Sequence, residues 1–287
     1  MRLQAAAKIN WTLEVLGRRS DGYHELRTLM QTINLCDELE FASGGKEVRV
    51  QVEGYHLAEE DNLVLKAARL LADENQGAII RLHKRIPPAA GLGGGSSDAA
   101  ATLRGLSQIW GKQIPREELR AWASTLGSDV PFFLYGGTAL ASGRGEIIEP
   151  LRDIPQTWLV LLAPPTELQG KTARMYAELI ASHHTDGTDT KELRHSIEQG
   201  NKPDPGLLFN IFEMVADRVF PQLREYRQRL LDAGARRTHL AGSGPALFAL
   251  ADSEEAGRAI LSRLDPGLGQ AFLARSLTRD ESLASGA

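Results

Sequence analysis

Length, composition and charge narrow the classes of protein that this sequence can encode. The chain has 287 residues, of which 42% are hydrophobic and 24% are charged, and this globular composition excludes a chain too polar to bury a core. Its formal net charge of −4 argues against a nucleic-acid-binding protein, because such proteins normally carry a basic excess that neutralises phosphates.

The cysteine content and the hydropathy of the chain predict its compartment. Cys36 is the one cysteine of the sequence, so an internal disulfide and a cysteine-rich zinc site are both excluded. No segment approaches ~18 uncharged apolar residues, and the first residues lack the long apolar core of a signal peptide. We therefore expect a cytoplasmic protein without a membrane partner, in which Cys36 is a small buried hydrophobic residue.

Period-two alternation dominates the start of the chain, where Ile9, Trp11 and Leu13 alternate with polar residues. Patterns of this kind predict strands at residues 3–16, 25–35, 38–41, 47–53 and 78–84. Apolar residues at helical spacing predict helices at 62–75, from about 96 onward, and at 116–126. Residues 127–146 are expected to form a loop, an apolar stretch and a hairpin-like return.

The chain loses its periodicity near residues 150–155, and we place a domain boundary between residues 152 and 153. Beyond it, strands are predicted at 158–163, 238–241, 246–251 and 271–277. Helices are predicted at 171–182, 191–199, 208–219, 222–233 and 254–264. The turn Gly242-Ser243-Gly244 is expected to support a functional cleft, because glycines permit a close backbone approach.

The sharpest signal in the sequence is a glycine-rich segment between a predicted strand and a predicted helix. It comprises Pro87, Pro88, Ala89, Ala90, Gly91, Leu92, Gly93, Gly94, Gly95, Ser96 and Ser97. Its four glycines allow backbone N–H groups to converge on one anion. The following helix directs its unpaired N–H groups and its positive dipole end to the same point. The segment therefore predicts a phosphate-binding loop.

This loop differs from two better-known phosphate-binding patterns. It lacks the Gly-Lys-Ser/Thr ending of a Walker loop, and Ser96 stands where a dinucleotide-binding pattern has glycine. Ser96 and Ser97 are candidates to cap the helix or to donate hydroxyls to a phosphate or a metal ion. Asp98 is expected in the first helical turn, where a carboxylate favours the helix dipole, although a catalytic role stays open.

The loop and two further segments together resemble the GHMP kinases. The loop, PPAAGLGGGSSDAA, is similar to the family's phosphate loop, and residues 5–26, AAAKINWTLEVLGRRSDGYHEL, are similar to its first motif. Residues 238–250, THLAGSGPALFAL, are similar to its third motif. The resemblance implies an α+β, two-domain GHMP kinase fold, with a ribosomal-protein-like ATP-binding domain at residues 1–152 and an α/β-sandwich substrate domain at residues 153–287. It also implies ATP as co-substrate and an active site between the domains.

The same resemblance implies roles for individual residues. Lys8 matches the family's catalytic lysine, which stabilises the phosphoryl group in transfer, and Asp129 matches the aspartate that takes the proton of the substrate hydroxyl. From the residues alone, a Lys8 side chain that extends to solvent is as good an interpretation as one directed at a site. Asp129 is by composition alone a candidate helix cap. Asn10 lies on the same strand face as Lys8 and is expected to bond to the substrate near the reacting hydroxyl.

The segment DGYH narrows the resemblance to family members that phosphorylate a CDP-linked methylerythritol. Tyr23 would stack on the cytosine ring, and His24 would form hydrogen bonds with the edge of the ring. Tyr176 is a weaker candidate for the other face of the ring, and a core aromatic is the alternative. This small-molecule substrate implies no nucleic-acid partner, and the resemblance is compatible with a monomer or a homodimer.

Other functions and the metal ion stay open at this point. The alternatives are another GHMP kinase of the homoserine or mevalonate type, a non-catalytic nucleotide or metabolite sensor on the same scaffold, and an RNA-binding module. Mg²⁺ is expected with ATP because it neutralises the charge of the β- and γ-phosphates. The sequence marks no acidic ligand for this ion.

Overall fold

The computed structural model describes residues 1–55, 62–166, 168 and 170–284, which form two β-sheets and the helices around them. The strands are β1 (Arg2–Arg18), β2 (His24–Ser43), β3 (Val48–Glu53), β4 (Ala78–His83), β5 (Thr138–Gly143), β6 (Ile147–Pro150), β7 (Trp158–Ala163), β8 (Phe209–Asn210), β9 (His239–Leu240), β10 (Leu247–Ala251) and β11 (Gln270–Arg275). The helices are α1 (Leu63–Leu71), α2 (Gly94–Ile109), α3 (Arg116–Leu126), α4 (Val130–Phe133), α5 (Lys171–Ala177), α6 (Thr188–Glu198), α7 (Ala216–Val219), α8 (Leu223–Asp232), α9 (Glu254–Leu261) and α10 (Arg279–Leu283).

The larger sheet has seven strands in the order β3-β4-β2-β1-β8, with β5 paired to β2 and β6 paired to β5. Its centre is the antiparallel pair of β1 and β2, which are 17 and 20 residues long. The pairing shifts register between Asn10 and Thr12, so that Trp11 is an extra residue on β1. Such bulges bend a strand and re-aim its side chains. This bulge lies directly beside Asn10, one of the predicted site residues.

The smaller sheet has four antiparallel strands in the order β11-β7-β10-β9. Apolar residues of β1, β7 and β10 form a core that joins it to the larger sheet, and Trp11 meets Phe248 edge-on with ring centroids 6.0 Å apart. A second core lies between the larger sheet and helices α1, α2 and α3. A third lies where β7 and β10 meet α8 and α9. The first of these cores also includes Ile86, Ala90 and Leu92, so it packs the two sheets against the glycine-rich segment.

The structure corrects several predicted elements. The two strands predicted at 25–35 and 38–41 are one continuous strand, β2. The helix predicted at 208–219 is wrong over its first half, because β8 and a 3₁₀ helix at Ile211–Met214 precede the short α7. The helix predicted at 171–182 ends at Ala177, and α10 was not predicted. The predicted boundary between residues 152 and 153 stays a prediction, and it lies in the segment between β6 and β7.

Candidate active site

The glycine-rich segment connects β4 to α2, as the sequence predicts, but α2 begins at Gly94 rather than near residue 96. Gly93 occupies the N-cap position in the left-handed conformation, with φ of 73°, and no side chain caps the helix. The proposed capping by Ser96 or Ser97 is therefore wrong. The first N–H groups of α2 are left for another partner, which is the arrangement that binds anions.

A cavity of about 270 Å³ lies over this loop. The loop residues from Pro87 to Ser96 line it, together with Asn62, Leu63 and Val64 at the start of α1. Asn62 caps α1 by accepting a hydrogen bond from the N–H of Val64 at 3.0 Å. The loop and the capped end of α1 thus form one wall of a pocket that a nucleotide could enter.

The Gly242-Ser243-Gly244 turn contacts the loop through backbone atoms, which confirms the predicted close approach. A Cβ atom on Gly91 would lie 2.1 Å from the carbonyl oxygen of Ala241, and one on Gly242 would lie 2.8 Å from the carbonyl oxygen of Gly91. Both glycines have positive φ, 90° and 54°, a region that other residues rarely adopt. No side chain fits at either position without moving the backbone of the other segment.

Beside the loop, one buried ammonium is shared by two buried carboxylates, and Lys84 and Asp98 also line the cavity. Lys84 Nζ donates to Asp37 Oδ2 and, at 2.7 Å, to Asp98 Oδ2. Asp37 also accepts the N–H of Ile86 at 2.8 Å. This cluster ties β2, the entrance of the loop and α2 together. Asp98 lies in the second turn of α2, so its predicted place in the first turn is wrong.

Burial dominates the electrostatics of this cluster. Burial raises the pKa of Asp98 above its ordinary value, although the charge of Lys84 opposes this shift. For Lys84, burial alone would lower the pKa, but the charges of Asp98 and Asp37 outweigh it and raise the pKa above its ordinary value. The cluster therefore holds a protonated lysine beside the loop.

The structure brings Lys8 and Asp129 together although they are far apart in the sequence. Lys8 Nζ lies 3.4 Å from Asp129 Oδ2, and the backbone N–H of Lys8 donates to the carbonyl oxygen of Leu92 in the loop at 2.9 Å. Asp129 occupies the N-cap position of α4 but makes no capping hydrogen bond. Its side chain is 37% exposed, whereas that of Lys8 is 5% exposed. The pair thus lies beside the loop with its carboxylate open to the cleft.

Asn10 is placed to orient Lys8. Its Oδ1 atom accepts a hydrogen bond from Lys8 Nζ at 2.8 Å, and its Nδ2 atom donates to Thr28 Oγ1 at 2.8 Å. Both polar atoms of the buried Asn10 side chain are therefore engaged within the protein. This arrangement fixes the ammonium of Lys8, and the predicted contact between Asn10 and substrate stays a prediction.

A second cavity, of about 570 Å³, extends from the Lys8–Asp129 pair. It is lined by residues from both ends of the chain, among them Asn10, Tyr23, His24, Tyr176, Phe212 and Ser243. Gly91 and Gly93 line this cavity as well as the cavity over the loop. The two cavities therefore meet at the glycine loop, beside Lys8.

The predicted aromatic residues gather at the other end of the second cavity. His24 stacks on Tyr176, with ring centroids 4.7 Å apart and an interplanar angle of 14°. Tyr23 is 54% exposed, and the guanidinium of Arg144 lies 4.7 Å from its ring centroid. The sequence predicted Tyr23 and Tyr176 on the two faces of one base, but in this structure His24 covers a face of Tyr176.

Burial also sets the ionisation of these aromatic residues. Burial lowers the pKa of His24, and the electrostatic influence of the neighbouring His184 and Arg18 lowers it further. For Tyr176, burial raises the pKa of the phenol, and the negative charge of Asp129 adds to the shift. His24 is consequently a neutral imidazole at neutral pH, which can donate one hydrogen bond and accept another.

Sequence reasoning missed several residues of the site. Lys171 and Thr172 at the start of α5, Phe212 and Arg144 all line the second cavity. Phe212 follows β8 and meets Tyr176 edge-on, with ring centroids 4.9 Å apart. Lys84 was missed as well, although its position directly before the loop was a signal that could have identified it. The other missed residues come from segments whose place in the fold is not marked in the sequence.

Two features of the described residues bear on cofactors and membranes. Outside residues 56–61, 167, 169 and 285–287, the chain contains no group of three or more His, Cys, Asp or Glu side chains that could enclose a metal ion. Within the same part of the chain, no helix has the length and apolar character needed to cross a bilayer.

Comparisons with known proteins agree with this geometry. Residues 62–137 match the GHMP kinases N terminal domain, and residues 177–267 match the GHMP kinases C terminal family. The 4-diphosphocytidyl-2-C-methyl-D-erythritol kinase of Dehalococcoides mccartyi is 43% identical over 281 residues, covering 96% of this chain and 98% of that protein. The enzyme of the same name from Pelotomaculum thermopropionicum is 43% identical over 267 residues, covering 90% and 92%. A crystal structure of a 4-(cytidine 5'-diphospho)-2C-methyl-D-erythritol kinase matches with a TM-score of 0.81 and 34% identity, over 100% of both chains.

Proposed function

This chain belongs to the GHMP kinases, and from that premise we propose that it phosphorylates the 2-hydroxyl of 4-diphosphocytidyl-2-C-methyl-D-erythritol with ATP. The products are the 2-phosphate and ADP, in the non-mevalonate route to isoprenoid precursors. The identity of 43% to enzymes of that name supports the choice of substrate. Homoserine- or mevalonate-type substrates lack a base, and would leave the aromatic end of the second cavity without a ligand.

One observation carries the proposal: the cavity over the loop and the cavity lined by the aromatic residues meet at Gly91 and Gly93, beside Lys8 and Asp129. A nucleotide in the first cavity would place its terminal phosphate where the two cavities join. An acceptor alcohol in the second would reach the same point from the other side. Phosphoryl transfer requires the attacking and leaving oxygens roughly in line across the phosphorus atom.

In the proposed reaction, Asp129 accepts the proton of the substrate hydroxyl while the hydroxyl oxygen bonds to the terminal phosphorus. The bond between this phosphorus and the bridging oxygen breaks, and ADP leaves. Lys8, held by Asn10, stabilises the negative charge of the phosphoryl group in transfer. The loop N–H groups bind the remaining phosphates. Catalysis by this arrangement consists mainly of positioning and charge stabilisation.

The metal ion in this proposal arrives with ATP. Mg²⁺ keeps several waters and takes phosphate oxygens as ligands, so it needs few ligands from the protein. A serine hydroxyl of the loop is a suitable ligand. When bound, the ion neutralises the charge of the β- and γ-phosphates.

Steady-state turnover tests the proposed function. We expect ADP release when the purified protein receives Mg-ATP and the CDP-linked methylerythritol, with a single phosphate added at the 2-hydroxyl by NMR. Homoserine and mevalonate at the same concentration are the matched controls and should give no turnover above the rate without acceptor. Turnover on either control alone would assign the chain to another GHMP kinase, and ATP binding without turnover on any of them would make it a sensor.

The recognition of the base is tested at Tyr23. Replacing Tyr23 by Ala is expected to raise the KM for the CDP-linked substrate about 5- to 150-fold, because stacking of a base on an aromatic ring contributes about 1–3 kcal/mol. The KM for ATP and kcat should change little, since Tyr23 lines the second cavity and not the cavity over the loop. Tyr23→Phe keeps the ring and serves as the control. An unchanged KM in Tyr23→Ala would remove this residue from the base site.

A further inference from the structure

Lys171 is a buried cation in the wall of the active-site cleft for which the mechanism above has no role. It opens α5, its exposed fraction is 8%, and it lines the same cavity as Lys8 and Asp129. A charged group taken out of water needs compensating partners, or it tends to lose its charge. The partners of Lys171 therefore indicate what this side chain does.

Among the residues that the structure describes, the hydrogen-bond partners of Lys171 are neutral. Its Nζ atom donates to the carbonyl oxygen of Gly244 and, at 3.0 Å, to Ser243 Oγ. Ser243 Oγ lies 2.8 Å from Thr172 Oγ1. An ammonium has three N–H donors, so one is left over. In the part of the chain that the structure describes, Lys171 has no carboxylate within ion-pair distance.

The charged groups that act on Lys171 belong to the proposed reaction centre. Burial lowers the pKa of Lys171 to about 7, the positive charge of Lys8 on β1 lowers it further, and the negative charge of Asp129 before α4 opposes the shift. From the turn, only the neutral Ser243 and the Gly244 carbonyl face it. Near neutral pH both the ammonium and the neutral amine are thus populated in the ligand-free protein.

We propose that Lys171 binds the terminal phosphoryl group of ATP together with Lys8, and that it takes up a proton when this anion enters the cleft. The inference rests on the proposed function and extends it by a second cation. An entering phosphate supplies a counter-charge and stabilises the protonated form of Lys171. The remaining donor of Nζ is available for a phosphate oxygen.

The position of Lys171 along α5 favours the phosphoryl group over the diphosphate of the acceptor. Lys171 lies at the end of the helix that meets the Gly242–Gly244 turn, and this turn contacts the glycine loop through Gly91. Tyr176 lies near the other end of α5, where the aromatic residues gather. The helix therefore extends from the phosphate end of the cleft to the base end.

Proton uptake measured by calorimetry tests the proposal. Mg-ATP is titrated into the protein without the acceptor alcohol at pH 7, in buffers of different ionisation enthalpy. We expect the wild type to take up a fraction of a proton per ATP, because some of the Lys171 side chains are neutral before binding. Lys171→Arg and Lys171→Met should take up none from this site. Mg-ADP, which lacks the terminal phosphoryl group, is expected to give no such uptake.

The pH profile of the reaction gives a second measurement. Since the protonated form binds the anion, kcat/KM for Mg-ATP in the wild type should fall as pH rises through about 7. Lys171→Arg keeps its charge at every pH, so this fall should disappear while much of the activity remains. Lys171→Met should lose about 10²-fold in kcat. Lys191→Met, on the exposed face of α6, is the control and should behave as wild type.

Several outcomes would overturn the proposal. They are a wild type that takes up no proton, uptake that persists in Lys171→Met, and equal uptake with Mg-ADP. A side chain that only holds the Gly242–Gly244 turn would lower kcat on substitution but would leave the proton count unchanged. If Lys171→Met fails to fold, Lys171→Arg carries the test. A wild type that takes up the proton with Mg-ATP but does not turn over the CDP-linked polyol would overturn the proposed substrate and support the role of Lys171.

Discussion

Replacing Asp129 by Asn is expected to lower kcat about 10²- to 10⁴-fold, the contribution typical of a positioned general base. The amide keeps the shape of the side chain but cannot accept the hydroxyl proton. The KM for ATP should change little, because the carboxylate lies on the acceptor side of Lys8 at 3.4 Å and not among the loop N–H groups. Single-turnover measurements with saturating Mg-ATP would separate the chemical step from product release.

Two further variants sharpen this result. Lys8→Met is expected to lower kcat by a comparable factor, and the double variant should lose much less than the product of the two factors, because the residues act as a unit. Asp232→Asn, on the exposed face of α8, is the control and should keep the wild-type rate. A near-normal kcat in Asp129→Asn would show that another group takes the proton.

Replacing Lys84 by Met is expected to lower the free energy of unfolding by about 3–5 kcal/mol. The change leaves Asp37 and Asp98 buried without their ammonium, and the two carboxylates then face each other beside the glycine loop. Urea unfolding followed by circular dichroism would measure the loss. The affinity for Mg-ATP should fall as well, because the cluster fixes the entrance of the loop to α2.

Matched variants distinguish this effect from the loss of any lysine. Lys66→Met removes an exposed lysine on α1 and should change stability by less than about 0.5 kcal/mol. The double variant Lys84→Met with Asp98→Asn removes one of the stranded carboxylates and should recover part of the loss. A drop below 1 kcal/mol in Lys84→Met would mean that the cluster is solvated and does not hold the loop.

Much of the fold and the centre of the site could be predicted because their signals are local. The glycine loop lies between β4 and α2, and its composition identifies it without any knowledge of distant segments. The helix predicted at 116–126 has the observed bounds of α3. Lys8 and Asp129 were paired through the resemblance of their motifs, and their 3.4 Å separation agrees with that pairing.

The remainder depends on contacts between distant parts of the chain. Residues 208–219 have the apolar spacing of a helix, but Asn210 donates to the carbonyl oxygens of Leu240 and Gly242 and accepts from the N–H of Phe212. These bonds hold the segment as β8 and a 3₁₀ helix, so tertiary structure overrides local propensity. The cluster of Asp37, Lys84 and Asp98 likewise joins three separate elements.

The close backbone contact of Gly91 with Ala241 and Gly242 means that the two halves of the chain depend on each other. The residues that line the cavity over the loop lie in the first hundred residues, yet the N–H of Ala246 donates to the carbonyl oxygen of Ala90 at 3.0 Å. The shape of the phosphate cradle is therefore imposed partly by the last fifth of the chain. The amino-terminal half, expressed by itself, would contain all the residues of the glycine-rich segment. It would lack the backbone contacts from the Gly242–Gly244 turn that fix their conformation.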